Sequence, residues 1–316
     1  MKKNILFLAT ILVANAAQAQ FYLQAKGGYA FPASIQRING ISDIDGDNVI
    51  EDGVHIETWN AAKQKVDVSD TPIYGSGGAG VTTSLTAGYM LTKHFGVELA
   101  VHYFESERSH PQHTENVIVE VDNSPTVTAD FYAKSRQVRI APSVVVCGNI
   151  MGISPYARFG LLLPVAGQVE VEAHTILNDP SSGDRQETDL NVVINGAFSL
   201  GYNTAFGLSV PLTPHVSLYA EAELITLAIT PAKSAIVSGE ERTYSAQGNR
   251  TTTDLNKISL ANTIYLREKV FVNALTETSN NQYTNAHYDQ KMPKDELASP
   301  TNYNSLGVHL GVRYTF

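Results

Sequence analysis

The chain closes on SLGVHLGVRYTF, residues 305–316, in which every second residue is apolar. Leu306, Val308, Leu310, Val312, Tyr314 and Phe316 fall on one side. Ser305, Gly307, His309, Gly311, Arg313 and Thr315 fall on the other. A period of two is the period of a β-strand, so this stretch predicts a strand with one greasy and one polar face. What touches the greasy face, a protein core or lipid, decides the fold.

The pattern recurs over residues 21–31, 81–91, 95–103, 137–146, 156–165, 190–210 and 216–224. With the terminal stretch this makes eight predicted strands, the run 190–210 being the longest. The connections alternate in length. Residues 92–94, 148–154 and 213–215 are short links; 32–77, 107–128, 174–189 and 231–302 are long ones. An even number of strands joined by alternating tight turns and long loops is the layout of an outer-membrane barrel. Each segment is long enough for a tilted strand to cross a bilayer, and several should project beyond it. Aromatics cluster near the strand ends, with Phe21, Phe95, Phe206, Tyr314 and Phe316 at one level and Tyr29, Phe31 and Tyr103 at the other. Such rings suit the two membrane interfaces. A soluble sandwich also has alternating strands. It would, however, have to carry four long connections without structure of their own, which compact domains seldom do.

The start of the chain agrees. Lys2 and Lys3 precede an apolar run over 5–14 and the small-residue site Ala17-Gln18-Ala19, the form of a secretory signal peptide, so 1–19 is expected to be removed and 20–316 to be one domain. The apolar run is too short to span a bilayer as a helix, and a mature chain that enters the membrane must do so as a closed barrel. One cysteine, Cys147, excludes an internal disulfide. Charged residues make up 17% of the chain, below the roughly 25% usual for soluble proteins. The net charge of −9 argues against nucleic acid as a partner.

Taken together, the leader, the eight alternating segments and the terminal GVRYTF resemble the small outer-membrane β-barrel proteins of Gram-negative bacteria, of the OmpA/OmpX type. The opening FYLQAKGGYAFP is similar to the first strand of such barrels in the Bacteroidetes-like branch. The resemblance implies an all-β, eight-stranded antiparallel transmembrane barrel with periplasmic turns and four external loops. It implies that Tyr314 and Phe316 form the signal read by the barrel assembly machinery. No periplasmic domain is expected after Phe316, so peptidoglycan binding is not carried over.

In such a barrel the polar faces point inward. They carry Lys26, Arg139, Arg158 and Arg313 against Glu98, Glu221 and Glu223. An eight-stranded barrel is filled by its own side chains, and buried charges there must pair. The strand order puts Glu221 and Glu223 beside Arg313, and Glu98 beside Arg139. The expectation is an ion-pair network that closes the lumen, with a gate or narrow pore as the alternative.

Outside the barrel, Asp43, Asp45, Asp47 and Glu51 in DIDGDNVIED offer hard oxygen ligands suited to calcium. Asn48 and Val54 stand where an EF-hand needs Gly and Glu, so the stretch reads as a weak calcium candidate or a solvated acidic loop. His110 and His113 flank Pro111-Gln112; two histidines alone do not make a metal site. No other cofactor is expected. An enzyme is not expected: His309 lies too near the periplasmic end, and His102 has no orienting carboxylate beyond Glu105 or Glu107. The leading expectation is a structural or surface-interaction role through the external loops, with outer-membrane lipid and lipopolysaccharide as surroundings and a surface ligand as partner. A narrow porin for ions or small solutes is the second, and a lipid-modifying enzyme a distant third.

Overall fold

The computed structural model describes residues 20–34, 36–37, 53–59, 65–118, 125–254 and 264–316. The expected leader 1–19 and the acidic residues Asp43, Asp45, Asp47 and Glu51 lie outside the described residues. The described residues are mainly β-strand, with one short turn of helix at Ile264–Arg267 and turns over 273–293. No helix among them is long and apolar enough to cross a membrane.

Strands join into one sixteen-stranded sheet, twice the eight strands expected. Within it, eight strands pair in a ring: β1 (Gln20–Pro32), β2 (Gly80–Met90), β3 (Phe95–Ser106), β4 (Thr126–Cys147), β5 (Ser154–Asp179), β6 (Gly201–Pro211), β7 (Val216–Thr226) and β8 (Ser305–Thr315). Each pairs antiparallel with the next, and β8 returns to β1. Chain order and spatial order coincide around the ring. Its alternation is inverted relative to a soluble sheet. In β7, Leu218 and Leu224 face out and are exposed, while Tyr219, Glu221, Glu223 and Ile225 are buried.

The first and third short links share the form Leu-Thr-x-His. Thr92 Oγ1 accepts from the amides of His94 and Phe95, and Thr213 Oγ1 does the same for His215 and Val216. Each histidine then reaches the strand beyond: His94 Nδ1 lies 3.1 Å from the Cys147 carbonyl and His215 Nδ1 lies 2.9 Å from that of Thr315.

The eight remaining strands of the sheet come from the long connections, whose described residues carry strands as well as turns. β4 and β5 pair far above the ring, up to Thr126 opposite Asn178. Strand Asp184–Gly196 adds to β5, and Pro231–Tyr244 adds to that. On the other edge Ser109–Ile118 adds to β4, followed by Gly53–Trp59 and Lys65–Thr71. The result is a tall wall standing on one side of the ring. The run 190–210 is therefore two strands. Residues 197–200 break it, because Asp184–Gly196 belongs to the wall and β6 to the ring. Strand Glu268–Val272, within the long connection 231–302, also joins the wall.

The wall inverts the ring's polarity. Val127, Ala129, Phe131, Val171 and Ala173 are buried on its inner face. Charges line its outer face, with Arg136 paired to Glu170 at 2.8 Å and Arg108 to Glu172 at 2.5 Å. In β5 a bulge between Pro164 and Ala166 makes the change. One extra residue shifts the alternation by one, so every side chain above it swaps faces. In β4 the residue types change phase instead, across the polar run Lys134-Ser135-Arg136-Gln137.

Candidate functional site

Two features face the axis of the ring: a charged plug inside it and an apolar cup above. The plug begins with three tyrosines. Tyr22, Tyr156 and Tyr219 each lie opposite a glycine on the next strand: Gly88, Gly207 and Gly311. A Cβ on Gly88 would come within 2.1 Å of the Tyr22 ring, on Gly207 within 2.4 Å of Tyr156, and on Gly311 within 2.5 Å of Tyr219. Each ring therefore lies flat where its neighbour has no side chain, and the narrow lumen accommodates all three.

Two of these hydroxyls serve the carboxylates. Tyr22 donates to Glu98 at 2.6 Å and Tyr156 to Glu221 at 2.7 Å. Arg158 is the hub: it bonds Glu98 at 3.2 Å and Glu221 at 2.6 Å, with Glu223 3.5 Å away. Lys26 Nζ donates to Glu221 and, at 2.7 Å, to Glu223. Asn203 donates to Glu223 at 3.1 Å. All five ionic side chains are essentially excluded from solvent. Such a cluster is tolerable in a dry interior because every charge has partners on several sides.

The structure thus brings together Lys26, Glu98, Arg158, Glu221 and Glu223, and leaves Arg139 and Arg313 apart. The expected pairs Arg139–Glu98 and Arg313–Glu221 do not form. The register explains why. Glu98 stands opposite Ser143, four residues from Arg139; Glu221 stands opposite His309, four residues from Arg313. Four residues along a strand is about 13 Å. The observed ion pairs join strands two places apart in the ring: β1 to β7, β5 to β3 and β5 to β7. Inward side chains converge on the axis and meet across a chord of the ring.

Arg313 instead lies at the turn end of the lumen, 4.6 Å from the Tyr22 ring centroid and 5.5 Å from that of Tyr156. With the Gln24 amide turned oxygen-first, it accepts from Arg313 Nε at 2.7 Å and Nη2 at 2.6 Å. Arg139 lies toward the other end, donating to Gln137 at 2.9 Å and stacked 4.3 Å from the Phe104 centroid. His102 and His309 are buried beside the cluster. The donor atoms of Glu221, Glu223 and His309 converge closely enough for a metal ion. Lys26 and Arg158 already neutralise those carboxylates, so a cation there would face two fixed positive charges.

From the sequence these three tyrosines received no role. The available signal was parity: Tyr22, Tyr156 and Tyr219 each precede by two residues a polar group that faces the lumen, namely Gln24, Arg158 and Glu221.

Above Arg139 the lumen opens into the cup, a cavity of about 1580 Å³. The wall supplies Phe131, Val171, Val192 and Ile194, and the segment after the helical turn supplies Phe271. Glu296, also on the lining, is held below its ordinary value: burial pushes it up, but Lys269 and Lys294, each 3.3 Å away, outweigh that.

On the outside of the ring the polarity is reversed. Leu23, Leu85, Leu99, Val144, Phe159, Leu208, Val308 and Leu310 are all exposed. At the turn end Phe316 packs 5.3 Å from Phe21 and 5.0 Å from Tyr314, whose ring stacks on His215. Charges sealed in a ring whose outside is greasy would be untenable in water and are what lipid requires.

Residues 5–247 match the family model described as "Outer membrane protein beta-barrel domain". The chain belongs to that family. Membership implies an outer-membrane location. The barrel is also similar to two solved structures of outer-membrane proteins. Neisserial surface protein A is 13% identical over 94% of this chain and 99% of its own, with a TM-score of 0.34. A major outer membrane protein from Thermus thermophilus is 12% identical over 94% of this chain and 99% of its own, with a TM-score of 0.30. Among curated proteins none matches the chain.

Proposed function

We propose that the ring of eight strands is the membrane-spanning barrel of a non-conducting surface protein, and that the wall and cup are its external recognition element. The observation that carries this reading is the plug: Lys26, Glu98, Arg158, Glu221 and Glu223 fill the lumen directly beneath the cup, without solvent access. A ring of this size has no width left once its side chains are packed. The cup, lined mainly by aliphatic and aromatic groups, suits an apolar or amphipathic ligand approaching from outside. Under the same reading the Leu-Thr-x-His turns lie in the periplasm and Tyr314 and Phe316 form the assembly signal and the inner aromatic girdle. Lipid and lipopolysaccharide are the surrounding partners, and residues 1–19 are the export signal. No catalytic role is proposed.

A narrow pore is the second reading. One observation favours it: among the described residues neither ring nitrogen of His102 or His309 has a hydrogen-bond partner, although both side chains are buried. Single-channel recording of the refolded protein in a planar bilayer separates the two. The plugged barrel is expected to be silent while still migrating as a folded, heat-modifiable species. Steady discrete openings would replace this reading with transport.

A further inference from the structure

His110, His113 and Asp130 meet on the wall, away from the plug, with His110 at the border of the cup. Asp130 Oδ1 lies 2.9 Å from His110 Nε2 and 2.7 Å from His113 Nδ1, and donor atoms of all three lie within 4.8 Å of one another. We propose that these three residues form a site for a divalent transition-metal ion of the zinc class.

The backbone is shaped for the convergence. His110 and His113 are three apart, so on a regular strand they would point to opposite faces. Here the pairing passes from Ser109 opposite Ala133 to Gln112 opposite Phe131, three residues against two. That extra residue is a bulge, and it contains Pro111, which cannot donate to the ladder. The bulge turns His110 onto the face already occupied by His113 and by its cross-strand partner Asp130. Bulges re-aim side chains, and this one joins two imidazoles to a carboxylate.

The rings are also held in place. His110 stacks on Tyr132 with centroids 4.5 Å apart and planes 13° apart, and Arg108 lies 3.8 Å from the Tyr132 centroid. The Glu115 carboxylate is 3.9 Å from His113 Nε2, the ring nitrogen on the far side from Asp130. A carboxylate in that place favours the tautomer that leaves Nδ1 to ligate. Two imidazoles and one carboxylate match zinc and its neighbours, whereas calcium takes oxygen ligands only. Zinc bonds of about 2.0–2.2 Å set tetrahedral ligand atoms about 3.3 Å apart, so the Asp130 oxygen needs to part from each imidazole nitrogen by only about half an ångström. The three side chains are partly exposed, so water can supply the fourth ligand. A hydrogen-bonded surface trio without metal affinity is the alternative, and the following measurements distinguish it.

The test is isothermal titration of ZnCl₂ into the untagged full-length protein refolded in detergent, with CaCl₂ as control. One zinc per chain is expected, with calcium neither binding in its place nor competing. His110→Gln and His113→Gln should each weaken binding at least about tenfold. His174→Gln should leave it unchanged: His174 faces Asp189 at 2.6 Å, but as a single imidazole. Absence of zinc binding, or equal binding by all three variants, would overturn the proposal. A reading that needs no substitution is the visible spectrum of the wild-type protein with cobalt(II). Intense four-coordinate bands support the site; the weak bands of a six-coordinate oxygen environment overturn it.

Discussion

Ring and wall are one continuous sheet with opposite insides. In the ring, charges are sealed in and leucines face out. In the wall, Val127, Phe131 and Val171 are sealed in and charges face out. The same β4 and β5 run through both. What differs is the solvent on the outer face, lipid for the ring under the reading given above and water for the wall. The same interaction, an arginine against a glutamate, therefore has different worth at the two levels. In the dry lumen each charge needs its partner; on the wet face water replaces a lost partner at little loss.

Paired deletions are the strongest way to break this comparison. Arg158→Ala takes an ion-pair partner from Glu98, Glu221 and Glu223, of which the last two keep Lys26, and should lower stability by about 3–5 kcal/mol or prevent folding. Arg136→Ala removes a pair whose side chains are 45% and 37% exposed, and should lower it by about 0.2–1 kcal/mol. Urea unfolding followed by gel mobility compares the two, and equal shifts in midpoint would remove the distinction between ring and wall.

A substitution that adds a single methyl sharpens the account of the lumen. Gly88→Ala puts a Cβ against the Tyr22 ring and should lower stability by about 1–3 kcal/mol. In a Tyr22→Leu background most of that penalty should vanish, because the atoms that clash are gone. A penalty that persists in full would mean the glycine serves the backbone and not the ring.

The smallest effect is expected at the tip of the wall. Ser181 and Ser182 hydrogen-bond the Asp179 carboxylate and hold it at about 2, below its ordinary 3.8. A depressed carboxylate stabilises the fold fully above its ordinary value, and the contribution is lost as pH falls through the folded one. Amide NMR signals of Ser181 and Ser182 should thus stay constant down to pH near 4 and move with a midpoint near 2. A midpoint at the ordinary aspartate value would show that the turn does not hold the carboxylate.

Much of the ring was legible from residue order. SLGVHLGVRYTF became β8, and VSLYAEAELIT became β7 with Glu221 and Glu223 turned inward. Alternation is local, so a strand and its two faces can be read without knowing its neighbours. The wall was harder to see. Its strands are shorter or more polar, and the run 190–210 concealed a change of neighbour behind unbroken apolar character. The phase change between Pro164 and Ala166 fell at the end of a run read as alternating over 156–165, and residue order alone does not say that the faces swap there.

The sequence by itself determined that the chain is β, that the ring strands carry one greasy and one charged face, and which charges share the inner one. Those are properties of a residue and its immediate neighbours. Only the tertiary structure decided which charges meet. Lys26 finds Glu221 and Glu223, and Arg158 finds Glu98, across the ring and not along its seams. The bulge that brings His110 beside His113 and Asp130 belongs to the same class of fact. Closure of a ring and the slip of one residue in register are set by pairing between distant segments, and no short stretch of chain contains either.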